Sequence, residues 1–141
     1  MHLPSIATLS LFWLIFLPFS THAQGPTDPY PVQVIENLSY YGEGHALESD
    51  LTRLNLLLPE GIEQPPLLLW VGGGAWAYVD RQQEMNLCRR FAEQGLAVAS
   101  VGHRLSPQLL RGEKSGEGVQ HPAHVQDVAR AFAWLHAHAA E

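Results

Sequence analysis

The segment best suited to chemistry is Gly72-Gly73-Gly74-Ala75-Trp76, which follows directly on the apolar run Leu67 to Val71. Glycine lets a backbone approach a ligand closely and leaves its N–H groups uncovered. Such groups at the carboxyl end of a strand stabilise negative charge. Two chemistries use them, the oxyanion of acyl transfer and the pyrophosphate of a dinucleotide. Gly72-x-Gly74-x-x-Ala77 fits the dinucleotide pattern literally. Against it, Trp76, Tyr78 and Val79 separate the glycines from the next helix. The following strand also ends Ser100-Val101-Gly102-His103, with no acid to hold a ribose. A tight turn without chemistry is the third reading, because a triple glycine alone specifies little.

Other side chains compete for a role. His121, His124 and Asp127 recur at intervals of three. On a helix His124 and Asp127 share a face, with His121 at its start, a spacing that a metal ion could use. Asp127 has a sharper structural use. Arg104 lies just after a strand and Asp127 near the start of the next helix, so a pair between them would pin the loop 105–120 at both ends. Arginine suits a buried bidentate pair better than lysine. No metal site is therefore assigned. His136 and His138, two apart, fall on different helix faces and belong in solvent. Trp70, Trp76 and Trp134 could be read as a sugar-stacking platform. Trp70, however, lies within a strand and Trp134 within a helix, leaving Trp76 as the expected substrate contact. Cys88 sits on an apolar helix face and reads as a core thiol. Asn37-Leu38-Ser39 is a glycosylation sequon, relevant only in a eukaryotic secretory pathway.

The elements that must position these groups follow from periodicity. Val32 to Ile35 reads as a short edge strand, and Leu51 to Leu58 as a strand with Leu54, Leu56 and Leu58 on one face, ended by Pro59. Leu67 to Val71, bounded by Pro65-Pro66 and the glycines, reads as a strand buried on both faces. Asp80, with Gln83 three residues on, is expected to cap a helix whose apolar face is Met85, Cys88, Phe91 and Ala92 and which Gly95 stops. Leu96 to Val101 is the next strand, and 102–120 a polar loop. Pro122 then opens a helix to about Ala140 with Val125, Val128, Ala129 and Phe132 as its apolar stripe. Strands alternating with helices imply a parallel sheet covered by helices.

The chain has 141 residues, which is one domain's worth. Its net charge of −6 and single lysine, Lys114, argue against a nucleic-acid partner. One cysteine excludes an internal disulfide framework and a cysteine-based zinc site. Ile6 to Phe19 is mostly apolar and uncharged, and Thr21-His22-Ala23 has the small residues of a signal-peptidase site. The expectation is a signal peptide over 1–23 cleaved before Gln24, hence an exported protein, periplasmic or secreted. The apolar run is too short for the usual membrane helix of about 20 residues, so no stable span is expected after cleavage. The proline-rich stretch 24–31 reads as an extended linker and 32–141 as the folded part.

Three motifs in order carry a family resemblance. Trp70-Val71-Gly72-Gly73-Gly74-Ala75-Trp76 resembles the His-Gly-Gly-x-Trp turn of α/β-hydrolase esterases of the hormone-sensitive-lipase-like, kynurenine formamidase-like and prenylcysteine-methylesterase-like kinds. His103-Arg104-Leu105-Ser106-Pro107 is similar to their Tyr-Arg-Leu-Ser/Ala-Pro segment, and residues 121–134 to their Pro-x-x-x-x-Asp-x-x-x-Ala-x-x-Trp helix. Gly72 stands where the family has histidine, and His103 where it has tyrosine. The resemblance covers roughly 51–141, and more loosely 32–50. It implies a three-layer αβα sandwich of the α/β-hydrolase type, with a mostly parallel sheet left incomplete at the C-terminus. It also implies an oxyanion hole on the backbone of Gly73, Gly74 and Ala75, an ester or amide as small-molecule substrate, and no cofactor.

The family's nucleophile is a serine in Gly-x-Ser-x-Gly, on the strand after the last helix legible here. None of the eight serines, at 5, 10, 20, 39, 49, 100, 106 and 115, stands in that motif. The expectation is that the nucleophile region is missing from these residues. In that fold the nucleophile strand flanks Leu67 to Val71, so this run would become an open edge prone to self-association.

Overall fold

A computed structural model describes residues 28–110, 113–115 and 117–139. The expected signal peptide 1–23, its cleavage point and most of the linker 24–31 lie outside the described residues. Four strands, β1 (Val32–Ser39), β2 (Arg53–Pro59), β3 (Leu67–Val71) and β4 (Ala97–Val101), form one sheet in the order β1-β2-β4-β3. Helix α1 (Met85–Ala92) connects β3 to β4, and α2 (Ala123–Ala137) closes the chain. The loop between β4 and α2 contains a small hairpin, β5 (Gln108–Leu110) with β6 (Glu113–Ser115).

The sheet is mixed. β1 and β4 run antiparallel to β2, while β3 and β4 are parallel, from Leu67↔Ala97 to Val71↔Val101. A parallel pair needs a crossover, and α1 supplies it. Side chains alternate between the faces of a strand, and the two helices divide them accordingly. Leu57 and Val98 pack with Cys88 and Ala92 of α1. Leu54, Ala99 and Val101 pack with Ala131 and Leu135 of α2. Helices therefore lie on opposite faces of the sheet, giving three layers. Within β2, Leu54 and Leu56 share the α2 face and Leu57 takes the other, so both faces of the strand are used.

β1 is the expected edge strand, but it runs on to Ser39 through an irregularity. Ile35 pairs with Leu56 and Leu38 with Leu54, so β1 carries one extra residue. Asn37 absorbs it at φ 61°, and its amide donates to Asn55 Oδ1 at 2.9 Å. The bulge turns Val32 and Val34 towards the α1 face and Leu38 towards the α2 face.

Two expectations about helices are corrected. The first helix begins at Met85, not Asp80. Asp80 Oδ1 accepts from the Gln82 amide at 2.8 Å, capping a turn instead. The intervening residues are held by side chains. Buried Arg81 donates to the Asp50 carbonyl and carboxylate at 2.6 and 2.7 Å and to Asn37 Oδ1 at 2.6 Å, and Glu84 accepts from the Trp70 indole at 2.6 Å. These long-range bonds hold the segment out of helical register. The stripe expected to bury α2 is also displaced. Val125 and Phe132 are 48% and 56% exposed, while His124, Asp127, Ala131 and Leu135 face inward. The polar partners of His124 and Asp127, Ser106 and Arg104, rotate the helix by about one residue.

Candidate functional site

β3 ends at Val71 in the centre of the chain and releases the glycine turn at the carboxyl edge of the sheet. Gly74 has φ 139°, and a Cβ there would meet the Tyr78 carbonyl carbon at 2.9 Å. Only glycine fits that close approach. The Gly74 carbonyl accepts from the amides of Ala77 and Tyr78 at 2.9 and 3.0 Å, and buried Ala77 and Val79 anchor the returning chain. Ala75 and Trp76 follow in the left-handed region, at φ 51° and 62°. That conformation costs a non-glycine residue on the order of 1–3 kcal/mol. Among the described residues nothing accepts from the amides of Gly73, Gly74 or Ala75.

Trp76 is 44% exposed, and its inner side rests on two histidines. Its ring centroid lies 5.1 Å from His103 and 5.3 Å from His124, which meet each other edge-on at 5.8 Å. Its carbonyl accepts from the Ser106 amide at 2.8 Å, and Ser106 Oγ is 2.9 Å from His124 Nε2. His103 is buried and places Nδ1 2.8 Å from the Arg104 carbonyl. A carbonyl only accepts, so Nδ1 donates this bond. The His103 Nε2 is buried without a partner among the described residues. Burial, then the neighbouring His103, hold the His124 pKa below its ordinary value, so its imidazole is neutral near pH 7.

One turn along α2, Asp127 is fully buried and satisfied from three sides. Arg104 donates through Nη2 to Oδ1 at 2.7 Å and through Nε to Oδ2 at 2.9 Å. The Arg104 amide adds a bond to Oδ2 at 2.9 Å, and the Tyr41 hydroxyl donates to Oδ1 at 2.7 Å. Burial alone would push this carboxyl up, but the bonds from Arg104 and Tyr41 outweigh it and hold the pKa below the ordinary value. The same pair raises the Arg104 pKa. The loop beyond is closed by the Val119 amide, which donates to the Leu105 carbonyl at 2.8 Å.

The structure thus brings Gly73, Gly74, Ala75, Trp76, Arg104 and Asp127 to one end of the sheet. No group of three or more His, Cys, Asp or Glu among the described residues could hold a metal ion. His121 is exposed, apart from the inward His124 and Asp127. Ser106, His103 and Tyr41 join the site without having been singled out for it from sequence. The spacing of His124 and Asp127 on one helix face was the available signal.

The BD-FAE family model matches residues 54–141 of this chain. The chain belongs to the BD-FAE family of α/β-hydrolase esterases. Among curated relatives, this BD-FAE chain is 31% identical over 115 residues to the esterase LipQ of Mycobacterium tuberculosis, covering 81% of the chain and 24% of the relative. It is 32% identical over 84 residues to the carboxylic ester hydrolase LipN of the same organism, covering 59% and 20%. Among solved structures it superposes on esterase B of Lactobacillus rhamnosis with a TM-score of 0.60 and 30% identity, over 79% of the chain and 31% of that protein. The BD-FAE chain therefore spans 20–24% of the length of these curated relatives. The match includes the glycine turn, the Arg104–Asp127 pair and all of α2, and the fold is the α/β-hydrolase sandwich in part.

Proposed function

We propose that this chain supplies the oxyanion-hole side of a hydrolase acting on small carboxylic esters or amides. The observation that carries the reading is the glycine turn at the end of β3, whose Gly73, Gly74 and Ala75 amides find no acceptor among the described residues. Membership of an esterase family and likeness to esterases support it. A serine hydroxyl gives its proton to a base outside these residues while its oxygen attacks the substrate carbonyl carbon, and the carbonyl π pair moves onto oxygen. The amides at 73–75 hold that negative oxygen, and its collapse expels the alcohol or amine, which takes the proton back from the base. Water then repeats the two steps on the acyl-enzyme and frees the acid. Trp76 borders the acyl or leaving group. The chemistry needs no cofactor.

The serine itself comes from outside these 141 residues, because none of theirs stands in Gly-x-Ser-x-Gly. The same fact favours the second reading, an inactive accessory protein that keeps the half-fold. The apolar leader Ile6 to Phe19 adds export to the proposal, with cleavage before Gln24. The test is turnover of p-nitrophenyl acetate by the 141-residue chain and by the longest open frame that contains it. The expected result is no turnover from the first and turnover from the second. In that active form Gly74→Val should lower kcat by about 100-fold. Turnover by the shorter chain would overturn the missing nucleophile. An extended form that bears Gly-x-Ser-x-Gly, folds and cleaves nothing would overturn the hydrolase reading.

A further inference from the structure

We infer that Ser106, His124 and His103 are positioning residues that clamp the glycine turn through Trp76 and keep its free amides aligned. The inference rests on the oxyanion reading for its functional meaning, but the clamp itself is a matter of geometry. Two consecutive non-glycine residues, Ala75 and Trp76, occupy the left-handed region. Such a conformation persists only where the surroundings enforce it. Within the turn, the Gly74 carbonyl accepts from Ala77 and Tyr78. The remaining hold comes from across the loop. The Ser106 amide fixes the Trp76 carbonyl, and His124 fixes Ser106 through its hydroxyl. The rings of His103 and His124 form the floor under the indole.

The floor is rigid for a reason outside the turn. His103 lies two residues past the end of β4 and is tied to the Arg104 carbonyl, and Arg104 is locked to Asp127. His124 stands one helical turn before Asp127, so the same ion pair sets the position of both rings. Neutral His124 carries one ring proton, so it either accepts from the Ser106 hydroxyl or donates to it. A part-buried hydroxyl–imidazole bond beside a strained turn could also be taken for a nucleophile and its base. Here the Ser106 hydroxyl is assigned to bracing, because Ser106 stands outside Gly-x-Ser-x-Gly and its amide holds the same Trp76 that His124 supports.

The test reads the turn without reading catalysis, so it stands whether or not the oxyanion assignment does. Amide hydrogen exchange is measured in the chain at Ala77, Tyr78 and Ser106, the N–H groups bonded at the turn, with Leu56 in the sheet as control. Ser106→Ala and His124→Ala should each speed exchange at the turn by about tenfold, the scale of one lost hydrogen bond, and leave Leu56 unchanged. The double variant should be no worse than His124→Ala, and His124→Gln should restore part of the protection. The Trp76 indole N–H resonance should shift in His103→Ala and His124→Ala while that of Trp70 holds. Unchanged exchange at the turn in both Ser106→Ala and His124→Ala would overturn the clamp. So would covalent capture of Ser106 by a fluorophosphonate, which would make it a nucleophile.

Discussion

Replacing Asp127 by asparagine tests the account of the loop most directly. The carboxylate is fully buried and accepts from Arg104 Nη2, Arg104 Nε, the Arg104 amide and Tyr41 Oη. Asparagine keeps the volume and one acceptor oxygen, but turns an NH2 group towards guanidinium and removes the charge. Breaking a buried ion pair on one side costs about 3–5 kcal/mol. Arg104 is 21% exposed at its side chain, so water relieves part of its stranded charge and the lower end applies. The expected loss is about 3 kcal/mol, or a fall in Tm on the order of 10 °C at this size. Urea unfolding at pH 7 measures it. The pH dependence gives a second check. Because the folded pKa of Asp127 is depressed below its ordinary 3.8, the stabilisation is complete above that unfolded value. It is lost as pH falls below 3.8 and through the folded value. Wild type and Asp127→Asn should therefore converge in strong acid. A loss under about 1 kcal/mol at pH 7, or a gap that widens with acid, would refute the reasoning.

Two further outcomes follow from burial and edges. β3 is an edge strand of the described sheet and Leu67 is 44% exposed, so residues 24–141 should self-associate, and Leu67→Lys should weaken that association in sedimentation runs; a monodisperse wild-type monomer that unfolds cooperatively would sink this idea. Cys88 is fully buried and its thiol pKa is pushed up by burial, so its reaction with a chromogenic disulfide should be slower than that of the urea-unfolded chain by roughly tenfold or more.

What was legible in the sequence was whatever rests on local pattern. β3 and β4 stand out as short apolar runs between turn signals, and the face Met85, Cys88, Phe91 and Ala92 has a clean helical period. The glycine turn was legible because few other residues tolerate its geometry. What escaped depends on contacts distant in sequence. The start of α1 is set by Arg81 reaching Asp50 and by Glu84 reaching Trp70. The buried face of α2 is set by Arg104 and Ser106, which no window on the helix contains. There Val125, Val128, Ala129 and Phe132 make a good apolar stripe, and His124, Asp127, Ala131 and Leu135 make a second, half-polar one at intervals of three and four. Hydropathy favours the first, and the polar partners decide for the second. The extension of β1 rests on Asn37 adopting a positive φ that its alternation conceals.

The strand order β1-β2-β4-β3 has a consequence for synthesis. β2 is made before α1 and β4, yet its inner neighbour is β4. At about 5–20 residues per second, the ribosome needs seconds to deliver β4 after β2 is complete. During that interval the β1–β2 pair shows a bare strand with Leu54 and Leu57 uncovered on its two faces. The nascent hairpin therefore passes through a sticky stage that the finished sheet hides, and whatever handles the emerging chain meets it first.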